Sequence, residues 1–102
     1  MENQSGPVSA YALYGVHPHF SDQLDSVQCQ VMKQLLKRKN VVGLGEIGLD
    51  YSGKNTVDRD VQIHAFEIQL KMALEKELPV CLHIRSAAED GFQVLKRVRS
   101  RT

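Results

Sequence analysis

Six side chains in this 102-residue chain are suited to holding a metal ion or a phosphate: His17 and His19, Glu46 and Asp50, and His83 and Arg85. Neutral imidazole and carboxylate oxygen together suit zinc, manganese and other divalent ions. His17 and His19 flank Pro18. An extended His-x-His can chelate one metal, and a loop histidine can equally turn onto its own backbone. Glu46 closes an otherwise apolar run, and period-two alternation puts it on one face with Val42 and Leu44, pointing toward buried space. An unpaired carboxylate there is costly, and either a metal cation or an arginine partner would offset the cost. His83 shares a face with Cys81 and reads as a hydrogen-bonded structural residue or as a ligand. His64 falls beside the apolar stripe of a helix pattern and reads as structural or exposed.

These pairs are far apart in sequence, so the elements before them must bring them together. Tyr11–Val16 is a short apolar run stopped by a Pro-punctuated loop, and reads as a strand. Leu24, Val27, Val31, Leu35 and Leu36 repeat at helical spacing up to Lys37, with Ser21 and Asp22 as caps. Val41–Glu46 is a second strand, with a loop expected over Asp50–Asn55. From Thr56 to Lys76, Ile63, Phe66, Leu70, Ala73 and Leu74 form a helical stripe, capped by Asn55, Thr56 or Asp58. Pro79–His83 is a third strand. A last helix over 87–98 packs through Ala88, Phe92, Leu95 and Val98. The β-α-β-α-β-α order predicts an α/β fold with right-handed crossovers and a parallel sheet. Parallel strands end on one rim, and neighbours lie about 4.8 Å apart, so side chains at adjacent strand ends can reach one ion. A closed barrel and an open doubly wound sheet both place their site on that rim.

Composition sets bounds. Apolar residues are 42%, charged residues 25% and the net charge +1, which is ordinary globular usage and no argument for or against nucleic acid. The one basic cluster is Lys96, Arg97, Arg99 and Arg101, read as a solvated helix end or tail. Two separated cysteines, Cys29 and Cys81, fit a reducing, intracellular compartment and buried packing roles. Residues 1–10 are polar, with no basic segment followed by an apolar one, so no signal peptide is expected. No apolar run long enough to cross a membrane is present.

Gly43-Leu44-Gly45-Glu46-Ile47-Gly48 matches the letters of a dinucleotide fingerprint. That fingerprint needs a helix to start within its glycines, with the pyrophosphate on the helix N-terminus. Here a polar loop is expected instead, Glu46 would face the phosphates, and Glu67 lies within a helix pattern. The dinucleotide reading is rejected.

Taken together, Gly15-Val16-His17-Pro18-His19, Gly45-Glu46-Ile47-Gly48-Leu49-Asp50-Tyr51, Gln62…Phe66…Gln69-Leu70…Ala73 and Leu78-Pro79-Val80…His83-Ile84-Arg85-Ser86-Ala87 resemble the TatD family of metal-dependent nucleases, in the family's order and across about residues 11–98. The resemblance implies three consecutive βα units of a (β/α)8 TIM barrel, incomplete within this chain, between a lead at 1–10 and a basic tail at 99–102. It implies hydrolysis of phosphodiester bonds in nucleic acid with a pair of divalent ions, magnesium, manganese or zinc. By motif, Glu46 is similar to the family's metal-bridging catalytic carboxylate and His83 to a metal ligand. His17, His19, Asp50 and Arg85 fall to the substrate side or behind the ligands. The family's first-strand His-x-His, a later histidine and a late aspartate have no counterpart here, and Ile84 stands where many members carry serine. The chain is therefore expected to be inactive alone. The alternative is a non-catalytic truncated product that associates with itself or with a partner chain through exposed sheet edges.

Overall fold

The structure, a computed structural model, describes residues 11–100. The expected lead at 1–10, together with Arg101 and Thr102, lies outside the described residues. In chain order the elements are β1 (Ala12–Tyr14), a 3-10 segment (Pro18–Gln23), α1 (Ser26–Leu35), β2 (Val41–Asp50), α2 (Arg59–Lys76), β3 (Val80–Arg85) and α3 (Ala88–Ser100). The strands form one parallel sheet in the order β1-β2-β3. This is the expected alternation, and β2, paired on both sides, is its spine.

Local chemistry sets most boundaries. Pro18 opens the 3-10 segment, where a missing N–H costs nothing. The first long helix starts later than expected: Asp25, not Ser21 or Asp22, is the cap, and its Oδ1 accepts the Gln28 N–H at 2.8 Å. Ser21 is buried instead, with its hydroxyl donating to the Pro18 carbonyl at 2.8 Å. Asp58 occupies the cap position of α2 without a side-chain cap bond, and α2 ends on Glu77 in the left-handed region. α3 runs through Arg99 and Ser100, so those residues are helix rather than tail.

One apolar cluster fills the space between sheet and helices. Leu44, Ile47 and Leu49 of β2 meet Phe66, Leu70 and Ala73 of α2 and Val94 and Val98 of α3 within it. Burying each large side chain of this kind contributes roughly 1.5–3 kcal/mol.

Three expectations about faces need correction. Leu44 is fully buried while Val42 is 44% exposed, so the two do not share a face. The parallel register skips Val42 between β1 and β2 and Glu46 between β2 and β3, and both skipped residues turn outward. A residue inserted at such an irregularity breaks the alternation. In α3 the buried stripe is Gly91, Val94 and Val98, and Phe92 is 64% exposed. Cys81 is exposed and Cys29 only partly buried, so neither is a fully buried packing residue.

Candidate metal and phosphate site

β2 extends to Asp50, so Glu46 sits within the strand rather than at its end. Close backbone approach explains the glycines around it. Gly48 has φ 149°, and a Cβ there would run into the His83 carbonyl oxygen. A Cβ on Gly45 would meet Cys81 of β3 at 2.7 Å. The next helix begins only at Arg59, so the glycines pack strands together and do not open a helix.

The structure brings five of the six expected side chains onto one rim. Donor atoms of His17, Glu46 and His83 all lie within 4.8 Å of one another. The His17 and His83 ring centroids are 4.6 Å apart, and His17 Nε2 lies 3.7 Å from Glu46 Oε1. Behind this cluster, Asp50 Oδ2 lies 2.8 Å from His19 Nε2 and 3.1 Å from His83 Nε2. Its Oδ1 accepts the Ser52 N–H at 2.9 Å. Arg85 is the exception. It ends β3 opposite Asp50 in register, its side chain is exposed, and among the described residues no hydrogen bond or ion pair reaches its guanidinium.

Electrostatics separates these groups. Burial opposes ionisation of Asp50, yet hydrogen bonding from Ser52, His19 and His83 more than offsets it and holds the carboxyl well below the usual range. Asp50 is therefore a permanent anion accepting from two imidazoles. Burial lowers the pKa of His17, and the neighbouring His83 and His19 add to the effect against the pull of Glu46 and Asp50. His17 is accordingly neutral near pH 7. Its Nδ1 accepts the His19 backbone N–H at 3.2 Å, which leaves its ring proton on Nε2, facing Glu46.

Several contacts around the rim were not expected from the sequence. Gln62 and Gln69 are fully buried, although both are polar and both lay outside the expected apolar stripe. Their signal was available: residues 62, 66, 69 and 73 follow helical spacing, so the stripe that carries Phe66 and Ala73 carries both amides. Tyr51 donates to Asp90 Oδ2 at 2.7 Å, and the Arg59 guanidinium stacks 4.3 Å from its ring centroid. Burial, then the Asp90 bond and charge, push the phenol well above its ordinary pKa. His64 is exposed.

The donor set fits a divalent cation: a half-exposed carboxylate, Glu46, and a half-buried imidazole, His83, converge with the His17 N–H beside them, and none of the three is held in a salt bridge by Lys or Arg among the described residues. Parallel βα units with such a set on one rim occur in TIM-barrel hydrolases and in open doubly wound sheets, and the solved relatives decide for the barrel. The fold matches the crystal structure of YJJV, a TatD homologue from Escherichia coli, with TM-score 0.77 and 36% identity over 86% of this chain and 34% of that one. It also matches an amidohydrolase from Saccharomyces cerevisiae with TM-score 0.72 and 28% identity, over 89% of this chain and 33% of that one. The chain belongs to the TatD related DNase family, which it matches over residues 2–102. It is 36% identical over 87 residues to the human 3'-5' RNA nuclease TATDN2, covering 85% of this chain and 11% of that protein. It is also 36% identical over 90 residues to the 3'-5' ssDNA/RNA exonuclease TatD of Erwinia tasmaniensis, covering 88% of this chain and 34% of that protein. The chain thus spans about a third of the bacterial relative and about a tenth of the human one.

Proposed function

We propose that this chain is a segment of a divalent-metal-dependent nuclease that hydrolyses phosphodiester bonds in DNA or RNA, acting from a 3' end as its relatives' names describe. The observation that carries the reading is the convergence of His17, Glu46 and His83 donor atoms within 4.8 Å, on the rim where a parallel sheet collects its strand ends. Magnesium, manganese or zinc ions would be held by Glu46 and His83, and when bound such ions polarise a phosphoryl oxygen and acidify water.

The chain's own residues divide the remaining work. Glu46 supplies the carboxylate that holds the ions and balances their charge. Asp50, buried and ionised, orients the His19 and His83 rings. While His83 Nε2 donates to Asp50, the ring's lone pair is on Nδ1, so capture of a cation by His83 either uses Nδ1 or displaces the Asp50 contact. His17 offers an N–H rather than a lone pair toward the site, because its Nδ1 already accepts from His19. That suits a donor to a phosphate oxygen on the substrate side, with His19 behind it. Arg85, exposed at the end of β3, is placed to meet the polynucleotide backbone. The two free thiols suit an intracellular compartment, and among the described residues no helix is long and apolar enough to cross a membrane.

Alone, the chain is proposed to be inactive. By motif it supplies two ligands of the six expected for the family's metal pair, and ligand count and preorganised geometry set metal affinity. The three strands among the described residues also cannot close a barrel of about eight, and β1 and β3, the outer strands of the described sheet, would be suited to self-association. The test is direct: incubate the purified 102-residue chain with 3'-labelled single-stranded DNA and RNA in magnesium, manganese or zinc, after sizing it by chromatography. No cleavage is expected. A monomer that cleaves, and loses cleavage in Glu46→Gln, would overturn the inactivity and leave the nuclease reading standing.

A further inference from the structure

Two buried amides lie on the face of α2 turned toward the sheet, seven positions apart and so two turns along the helix. Gln62 Oε1 accepts the Asp50 N–H at 2.8 Å, and its Nε2 donates to the Val57 carbonyl at 2.8 Å. Gln69 Oε1 accepts the Val16 N–H at 2.6 Å, and its Nε2 donates to the Val16 carbonyl at 3.3 Å and the Ala65 carbonyl at 3.1 Å. Each amide grips backbone, and each takes hold of one residue that adjoins the rim. Val16 immediately precedes His17, and Asp50 closes β2. Gln69 stands in for a missing strand partner, since β1 ends at Tyr14 and Val16 has both its N–H and its carbonyl on this one side chain. Only a side chain with a donor and an acceptor can do this. Glutamate loses the donor, and methionine of similar shape loses both.

We propose that Gln62 and Gln69 are positioning residues for the rim cluster: from one helix they set the spacing between the His17–His19 turn and the Asp50 end of β2. A merely structural pair would stabilise the chain without governing where the imidazoles stand. The inference uses the metal-centre reading only for its consequence, the affinity for a cation; the geometric claim stands apart from it.

The test compares Gln69→Met and Gln62→Met with Val98→Ala, a core change on α3 away from the rim, all in the full chain. Imidazole nitrogen shifts are read by NMR without metal, with exposed His64 as internal reference, and Zn²⁺ is then titrated calorimetrically. Gln69→Met should move the His17 and His19 shifts and speed Val16 amide exchange at least tenfold. Gln62→Met should move those of His19 and His83, which share Asp50. Val98→Ala should lower the melting temperature and move none of them. Unchanged imidazoles in both methionine variants, or equal shifts in Val98→Ala, would overturn the proposal. Should Gln69→Met not fold, Gln69→Glu carries the same test, and in the unaltered chain the Gln69 carboxamide protons must exchange slowly and show a nuclear Overhauser contact to Val16. Zn²⁺ affinity should fall at least tenfold in the methionine variants. Unaltered Zn²⁺ binding in both Glu46→Gln and His83→Ala would defeat the metal-centre reading while leaving the imidazole result to judge the positioning.

Discussion

Glu46 and Asp50 belong to one strand, four residues apart, and stand in opposite conditions. Asp50 is 1% exposed and accepts from Ser52, His19 and His83. Glu46 is 51% exposed, and the neutral His17 imidazole stands 3.7 Å away. The difference comes from the register, because β3 skips Glu46 and pairs Asp50 with Arg85. A carboxylate whose lone pairs are filled by the protein builds structure. One whose lone pairs are left open is available to a ligand from outside. Substituting the first should register in stability, and substituting the second in activity.

The largest effect expected is at Glu46. In a full-length protein carrying this segment, Glu46→Gln should cut phosphodiester turnover by roughly a thousandfold or more, since it would remove the charge proposed to hold and balance the cations. Its unfolding free energy should change by no more than about 0.5 kcal/mol, as for other exposed sites. A denaturant curve beside a turnover assay reads both, and an active Gln variant breaks the contrast. Next is Asp50→Ala, expected to cost about 2–4 kcal/mol in unfolding free energy, because it strands the Ser52 N–H and two imidazoles around a buried site. A stability equal to that of the unaltered chain would mean Asp50 is not the structural partner its bonds describe.

The sequence carried the βα order plainly, because apolar runs at two periods alternate along the whole chain. It carried the convergence of His17, Glu46 and His83 through the topology of adjacent parallel strands, although Glu46 lies within β2 rather than at its end. What it hid was local. Ile47, Gly48, Leu49 and Asp50 continue β2, whereas the expected strand closes at Glu46 and the expected loop opens at Asp50. No pattern in one strand shows where its neighbour will skip a residue, so the outward turn of Val42 and Glu46 was not legible. In α3 the aromatic Phe92 drew the stripe one position forward. The true stripe runs through Gly91, where even a Cβ would press on Ile84 at 3.1 Å. Gln62 and Gln69 were legible as motif residues and, by their spacing with Phe66 and Ala73, as part of the buried face, but the backbone groups they satisfy came into view only with the fold.

A third carboxylate sharpens the contrast by falling between the two. Glu67 of α2 is partly buried and bonds Arg97 of α3, its Oε1 lying 2.7 Å from Nη2 and 3.1 Å from Nε, with Lys71 at 3.3 Å from Oε2. So Arg97, expected as part of a solvated basic end, instead ties α3 to α2. The Arg97 bonds lower the Glu67 pKa against the opposing effect of burial, and Lys71 adds to the lowering. A carboxyl lowered on folding contributes stability that is fully present above its unfolded value, near 4.5, and is lost as pH falls through the lower folded value. Arg97 is 40% exposed, so water screens the pair and its contribution should be only about 1 kcal/mol. Glu67→Gln should therefore be less stable than the unaltered chain by about that much near pH 7, and the gap should close as the pH drops below about 4. Urea unfolding across that range measures it. A gap that stays constant down to about pH 3 would assign the effect to shape rather than charge. Glu67 would then behave as packing, and the grading of the three carboxylates by how fully the protein satisfies them would fail at its middle member.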